Sequence, residues 1–277
     1  MPKQITHQLQ WEKVLPFLSV PGEDTPLDLG DGGFTDARKS RFFPIHEGVP
    51  QFMEAPLDEG VMQHFNETAK KFGKAPKSVE VVAPIATMLR KELYRITDSK
   101  DAVKTLVDVG CGHGQFSAPL ASKHTVFGVD VSQEMLKLTS GTGIYPLLAD
   151  GMQLPLRSRS IDCAYSIEVV QLFEDPGPIL SEMTRILKPG GSLVISTLHR
   201  YSLLRRINRM IKRQGVNEGT RLRRPSDLLA MVEGLPLELV NVSWLLGPTT
   251  FAVSTSGPTW FLSPLASNIL LHLRRKA

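Results

Sequence analysis

The chain has only two cysteines, Cys111 and Cys163, and they form no CxxC pair. This excludes a disulfide framework and a cysteine-rich zinc site, and we expect a cytoplasmic protein. No apolar run of signal-peptide length stands near the N-terminus, so we expect no secretion signal. Asp, Glu, Lys and Arg are absent from 239–273, but prolines interrupt that stretch too often for it to span a bilayer.

Acidic residues are also scarce in 200–224, which holds nine Lys or Arg against one Glu, while the whole chain carries only +4. Within it, 202–215 predicts an amphipathic helix with Leu, Ile and Met on one face and basic residues around the rest. Three interpretations stay open: a solvated face, a lid over an acidic or membrane-borne substrate, and a contact with nucleic acid. We expect a basic lid-like insertion at 200–224 that can also contact a membrane surface.

From Thr105 onwards, short apolar runs alternate with helical patterns. TLVDVG, TVFGVDV, IYPLLAD, IDCAYSIE and SLVIST predict buried parallel strands, with Ser132 and Asp175 as expected helix N-caps. LELVNVSWLL and TTFAVSTS predict a C-terminal antiparallel hairpin. The expected fold is therefore α/β, with a doubly wound, mostly parallel sheet of seven strands over 57–277. The small N-terminal extension, 1–56, is rich in Gly, Pro and Asp.

The motif VDVGCGHG follows the first of these strands and places glycines at 110, 112 and 114. Glycines at such a turn let the backbone approach a ligand closely, although a tight turn without a ligand is the alternative. A dinucleotide fingerprint needs its third glycine at position 115, where this chain has Gln115. The spacing therefore argues against a pyrophosphate ligand.

Aspartates end the next two strands, Asp130 in GVDVS and Asp150 in ADGM. At these places a carboxylate can accept hydrogen bonds from ribose hydroxyls, or from an exocyclic amine such as that of adenine. Either aspartate alone is more readily a helix cap. Features of this kind on three consecutive strands favour one ligand site at the carboxyl ends.

These motifs, with SIDCAYSIEVVQLFED and the turn LKPGG, resemble in order and spacing the class I S-adenosylmethionine-dependent methyltransferases. The ubiquinone and menaquinone biosynthesis type is the most similar in pattern. The resemblance covers about 60–200, and extends over 200–277 only as a topology. It implies a Rossmann-like fold, S-adenosylmethionine as cofactor and a small-molecule acceptor.

The resemblance also implies roles for individual residues. Asp108 and the first two glycines would surround the methionine portion of the cofactor, and Asp130 would hold the ribose hydroxyls. The segment after Asp150 would frame the adenine, and Ser166 would offer backbone to the methionine amine. The implied cofactor-binding residues are Asp108, Gly110, Cys111, Gly112, Gly114, Asp130, Val131, Asp150, Gly151, Met152 and Ser166.

The chain departs from the family pattern after the fourth strand. Relatives often have E-x-x-E-H there, whereas this chain has Glu168, Gln171 and Leu172. With one remaining metal ligand, we expect no catalytic metal. No general base can be transferred from the family; Glu168, His199 and Tyr201 are weak candidates, and a histidine in such a loop is more often merely solvated.

The N-terminal extension has a second, weaker resemblance. SVPG at 19–22 and FPIHEGVP at 43–50 look like a small zinc-ribbon domain that precedes some methyltransferases. Every cysteine of such a ribbon is absent, so the segment would be a degenerate, metal-free ribbon. Chance turn composition is the alternative.

The leading functional hypothesis is transfer of a methyl group to a small, lipophilic acceptor that carries an acidic group, by O- or C-methylation. An RNA base methyltransferase is the alternative, although interleaved aromatic and basic residues and a base-modifying signature are missing, so a nucleic-acid partner is not expected. A third hypothesis is a protein that binds the cofactor without transferring its methyl group. The sequence does not decide the oligomeric state.

Overall fold

The computed structural model describes residues 10–53, 67, 69–70, 84–97, 102, 104–200, 221–246, 251–255, 266 and 268–277. The expected basic helix at 202–215 and the candidate Tyr201 lie outside these residues. Within them, no helix is both long and apolar enough to cross a membrane.

The N-terminal part of the chain forms a small antiparallel sheet. A short 3-10 helix, Leu15–Phe17, precedes it. The four strands of this sheet pair in sequence order, as expected for strands joined by short turns. They are β1 (Leu27–Gly30), β2 (Gly33–Asp36), β3 (Phe42–His46) and β4 (Val49–Pro50).

The main sheet has eight strands, of which five are parallel neighbours. The parallel strands are β5 (Thr105–Val109), β6 (Thr125–Asp130), β7 (Tyr145–Leu148), β8 (Ile161–Ile167) and β9 (Leu187–Leu198). Three antiparallel strands follow: β10 (Leu237–Leu246), β11 (Phe251–Thr255) and β12 (Asn268–Arg275). The order across the sheet is β11-β10-β12-β9-β8-β5-β6-β7. The α/β class, the mostly parallel sheet and the C-terminal hairpin are therefore confirmed.

The α-helices whose bounds the structure describes are α1 (Pro84–Thr97), α2 (Gln133–Lys137), α3 (Gly177–Ile186) and α4 (Pro225–Met231). Ser132 caps α2 as expected, because its side chain accepts a hydrogen bond from the Met135 amide. The cap of α3 is one residue later than expected: Pro176 is the N-cap, and the Asp175 carboxylate accepts from the Gly177 amide.

Two features differ from the expected pattern. The count of seven strands omitted β12, which lies between β9 and the hairpin. The expected helix after the glycine motif is a series of tight turns, in which Ala118, Ala121 and His124 donate backbone hydrogen bonds four residues back. No long regular helix therefore begins at this turn.

The two sheets share one hydrophobic core. Trp11 is fully buried and its ring packs edge-on against Phe34 of β2 and Tyr145 of β7, at centroid distances of 5.9 and 5.7 Å. Gln51 forms a parallel bridge with Leu148, and the Phe52 amide donates to the Leu148 carbonyl at 2.8 Å. The N-terminal sheet thus continues the hydrogen bonding beyond β7, which would otherwise be an open edge.

Candidate functional site

Asp108, Asp130 and Asp150 lie at the carboxyl ends of adjacent parallel strands. Asp108 is opposite Gly128 in β6, Asp130 is opposite Leu148 in β7, and Asp150 follows β7 by two residues. The main sheet therefore brings the three predicted aspartates to one edge, as expected from their place after apolar runs.

The Asp130 carboxylate fixes the glycine loop. Its Oδ2 accepts a hydrogen bond from the Gly112 amide at 2.8 Å, and its Oδ1 accepts from the Ser132 amide at 2.9 Å. Burial raises the pKa of Asp130, while these backbone donors act in the opposite direction. The Val131 amide is a third backbone donor to this carboxylate, whose two oxygens have about four lone pairs in all, so it can still accept a further hydrogen bond from a hydroxyl group.

The three glycines of the motif have different surroundings. A Cβ at Gly110 would meet Val169 at 2.4 Å, and one at Gly114 would meet Ile144 at 2.6 Å, so both positions pack against protein. A Cβ at Gly112 would meet no described atom within 4 Å, although its φ of +54° favours glycine. The open side of the loop is therefore at Gly112, next to Asp130.

Asp108 belongs to a buried polar cluster that the sequence did not predict. Ser117 Oγ lies 2.5 Å from Asp108 Oδ2 and 2.6 Å from the Tyr165 hydroxyl, and Asp108 is 1% exposed. Burial raises the pKa of Asp108 to about 7, which the Ser117 hydrogen bond partly opposes. A nearby cation would favour the ionised carboxylate, so this group can respond to a positively charged ligand.

The remaining predicted cofactor residues surround the same edge. Asp150 Oδ1 accepts from the Met152 amide at 2.9 Å, and Gly151 packs against Ile179 of α3. Ser166 at the end of β8 is fully buried and donates to the Val109 carbonyl at 2.9 Å. Val131 directly follows Asp130.

Cys111 lies inside the glycine loop and is buried. Burial raises the pKa of its thiol well above the usual value, because the neutral form is favoured away from water. The Cys111 side chain packs against Gly128 of β6, and its place among the cofactor-binding residues stays a prediction.

Glu168 follows β8 with a positive φ of 62°, a conformation that non-glycine residues seldom adopt. Its Oε1 accepts from Ser196 Oγ at 2.9 Å and from Asn268 Nδ2 at 2.7 Å, and its Oε2 accepts from Gln171 Nε2 at 3.2 Å. These three donors hold the Glu168 side chain in one orientation. Gln171 thus hydrogen-bonds Glu168 at the position where relatives have a second Glu.

His199 is only 2% exposed, so the expectation that it is merely solvated is wrong. Its Nδ1 lies 3.3 Å from the Ala266 carbonyl oxygen, and its ring packs edge-on against Trp244 at a centroid distance of 5.4 Å. Strand β10 carries Trp244 to the carboxyl edge, because it is opposite Ile269 near the start of β12. Long-range pairing of this kind gives no local sequence signal.

Among the described residues, no group of three or more His, Cys, Asp and Glu side chains is placed to hold a metal ion. The lack of a catalytic metal and the degenerate zinc ribbon stay predictions.

Comparison with known proteins gives a family match for the middle of the chain. Residues 107–195 match a family model described as a methyltransferase domain. Methyltransferase GfsG of Streptomyces halstedii is 34% identical over 44% of this chain and 48% of its own length. A malonyl-acyl-carrier-protein O-methyltransferase of Marinomonas sp. is 27% identical over 53% of this chain and 57% of its own length. The matched part spans about half the length of these relatives.

A solved structure extends the likeness to most of the fold. The structure of an S-adenosylmethionine-dependent methyltransferase from Thermotoga maritima matches 78% of this chain and 99% of its own, with a TM-score of 0.60 and 20% identity. At 20% sequence identity, this likeness shows a shared fold and nothing about the activity. The likeness shows that the sheet and its helices have the Rossmann-like fold of that structure, and within this fold residues 107–195 match the methyltransferase-domain model.

Proposed function

We propose that this chain transfers a methyl group from S-adenosylmethionine to a small, lipophilic acceptor that carries an acidic group. The observation that carries the proposal is the pairing of the open side of the loop at Gly112 with the Asp130 carboxylate. This pairing suits a nucleoside whose ribose hydroxyls face a carboxylate.

The residues at the edge fit this cofactor better than a dinucleotide. A pyrophosphate is best held by amides at the start of a regular helix, and tight turns follow the glycine loop here. S-adenosylmethionine has no phosphate; it supplies a methyl group on a sulfonium, whose carbon is already electrophilic. Asp130 would accept from the ribose hydroxyls, Asp150 from the adenine amine, and Asp108 would lie near the cationic methionine portion.

The chain's own contribution to transfer would be orientation and exclusion of water. Methyl transfer is an in-line displacement, so rate depends on aligning the acceptor atom with the methyl carbon. His199, Trp244 and Ala266 form a buried, partly aromatic region next to the end of β9 that suits an apolar acceptor. Glu168 would hold the side chains of Asn268 and Ser196 in fixed orientations through its hydrogen bonds with them.

The acceptor can be identified by incubating the protein with a cell extract and S-adenosylmethionine carrying an isotopically labelled methyl group. We expect mass spectrometry to find the label in one small molecule, on oxygen or carbon. Label in RNA nucleosides would instead support the RNA methyltransferase alternative. Cofactor binding without any labelled product would support a protein that does not transfer the methyl group.

A further inference from the structure

Arg223 is a buried cation without a carboxylate partner in the described part of the chain. The residue is 8% exposed. Its Nη2 donates to the main-chain carbonyl oxygens of Phe173 at 2.6 Å and Glu174 at 3.0 Å. Its Nε is buried and has no acceptor among the described residues. Burying a guanidinium is costly unless its donors and its charge are both satisfied.

The neighbouring arginines, Arg221 and Arg224, differ from Arg223 because each has a carboxylate partner and each is exposed to water. Arg221 Nη2 lies 3.1 Å from Glu174 Oε2, and Arg224 Nε lies 3.5 Å from Asp227 Oδ1. Both side chains are about half exposed. Of these three arginines, the one withdrawn from water is thus the one with no carboxylate within 4 Å among the described residues, and Asp227 and Asp175 act on it only at longer range.

Arg223 lies on the acceptor side of the predicted cofactor site. It forms a bridge with His199 at the end of β9, and its amide donates to the Leu198 carbonyl. The segment that carries its carbonyl partner Phe173 begins at Val169, which packs against the cofactor loop at Gly110. Phe173 is four positions after Val169, so their Cα atoms are at most roughly 14 Å apart.

We propose that Arg223 binds an anionic oxygen group of the methyl acceptor, a carboxylate or a phosphate. This inference rests on the proposed function and deepens it by assigning a residue to the acidic group. A guanidinium suits such groups because its N–H donors carry positive charge, and the Nε of Arg223, which has no acceptor among the described residues, can donate one charge-assisted hydrogen bond to the anion. The anionic group would position the acceptor and would not itself be methylated, because the hydrogen bond from Arg223 reduces the nucleophilicity of its oxygens.

The test measures binding of octanoate, octyl phosphate and octanol to protein saturated with S-adenosylhomocysteine, by calorimetry. We expect at least one of the two anions to bind the unsubstituted protein at least about tenfold more tightly than octanol, as for a charge-assisted hydrogen bond. The tighter of the two anions identifies the group. Equal affinity for octanol and both anions would overturn the proposal.

Variants separate the anion site from a structural role. R223Q should lose the preference for the anion and R223K should keep part of it, while R221Q, the matched control, should keep all of it. A preference that persists in R223Q, or that only R221Q removes, would overturn the proposal. If R223Q does not fold, the unsubstituted protein and R223K decide.

The affinity for S-adenosylhomocysteine is measured separately in each protein. Failure of the unsubstituted protein to bind it contradicts the proposed function. Binding without any anion preference contradicts only the role of Arg223.

Discussion

Asp130 combines two tasks, because the carboxylate that would hold the ribose also holds the Gly112 amide. Asp130→Ala should therefore weaken S-adenosylmethionine binding by about 2–3 kcal/mol, the order expected for hydrogen bonds to a charged group. Asp150→Ala is the comparison variant and should cost about 1 kcal/mol, since one amine contact is lost. Calorimetry measures both, and unchanged affinity in Asp130→Ala would contradict the ribose role.

Asp108 should make the stability of the protein depend on pH. Because burial raises its pKa from 3.8 to about 7, the folded chain holds a proton that the unfolded chain releases between these values. The free energy of unfolding should thus fall as pH rises from about 4 to 7, by up to roughly 4 kcal/mol from this group. Asp108→Asn should remove that part of the slope. Urea unfolding at pH 5 and 8 tests this, and parallel pH dependence in both proteins would contradict it.

The candidate site could be predicted from sequence only where its residues lie next to a recognisable strand end. Asp108, Asp130 and Asp150 each follow an apolar run, so their common edge was predictable. Asn268 and Arg223 reach the same edge through pairing with β9, and no local pattern marks them. The buried Ser117 and Tyr165 were missed because apolar periodicity does not show which polar groups meet inside the core.

At the level of the elements, the glycine loop can be tested with a pair of matched substitutions. Gly112 and Gly141 both have positive φ and open space where a Cβ would lie, so alanine at either should cost about 1–2 kcal/mol of stability. Only Gly112→Ala would place a methyl group where the cofactor approaches. We expect about a tenfold or greater loss of S-adenosylmethionine affinity in Gly112→Ala alone. Equal affinity in the two variants would contradict the placement of the cofactor at this loop.

The N-terminal sheet should unfold together with the main sheet, because they share one core. Phe52 is 2% exposed and packs against Phe34 and Phe43, so Phe52→Ala should cost about 3–5 kcal/mol. Phe42→Ala is the control: this residue is 56% exposed, and its loss should change stability by less than about 0.5 kcal/mol. Urea unfolding followed by circular dichroism and by fluorescence should give one coincident transition. Two separate transitions would show an independent N-terminal unit.

The elements themselves were largely predictable, and the exceptions have physical reasons. The apolar runs in β5 to β9 and the cap at Ser132 follow local rules. Strand β12 was missed, and its place between β9 and β10 comes from long-range antiparallel pairing that no local pattern marks. Tight turns follow Gly114 where a helix was expected, although no residue there prevents a helix. In these turns, the Ser117 side chain hydrogen-bonds Asp108 and Tyr165.

For the whole molecule, the structure relates the two parts that the sequence separated at about residue 56. The bridge between Gln51 and Leu148, the hydrogen bond from the Phe52 amide and the ring of Trp11 against Phe34 and Tyr145 join the N-terminal sheet to the β7 edge. The loops proposed to bind the cofactor lie at the carboxyl ends of the parallel strands, and the buried region around His199 and Trp244 lies beside them. A nucleoside cofactor and a small acceptor can thus meet at one edge of a single sheet.

The most direct test of this account is calorimetric titration of the purified protein with S-adenosylmethionine, S-adenosylhomocysteine and NAD. The open loop at Gly112, the Asp130 carboxylate and Gln115 in place of a third fingerprint glycine all favour a phosphate-free nucleoside ligand. We predict binding of both S-adenosyl compounds with one site per chain and no binding of NAD. Binding of NAD without binding of either S-adenosyl compound would contradict the account.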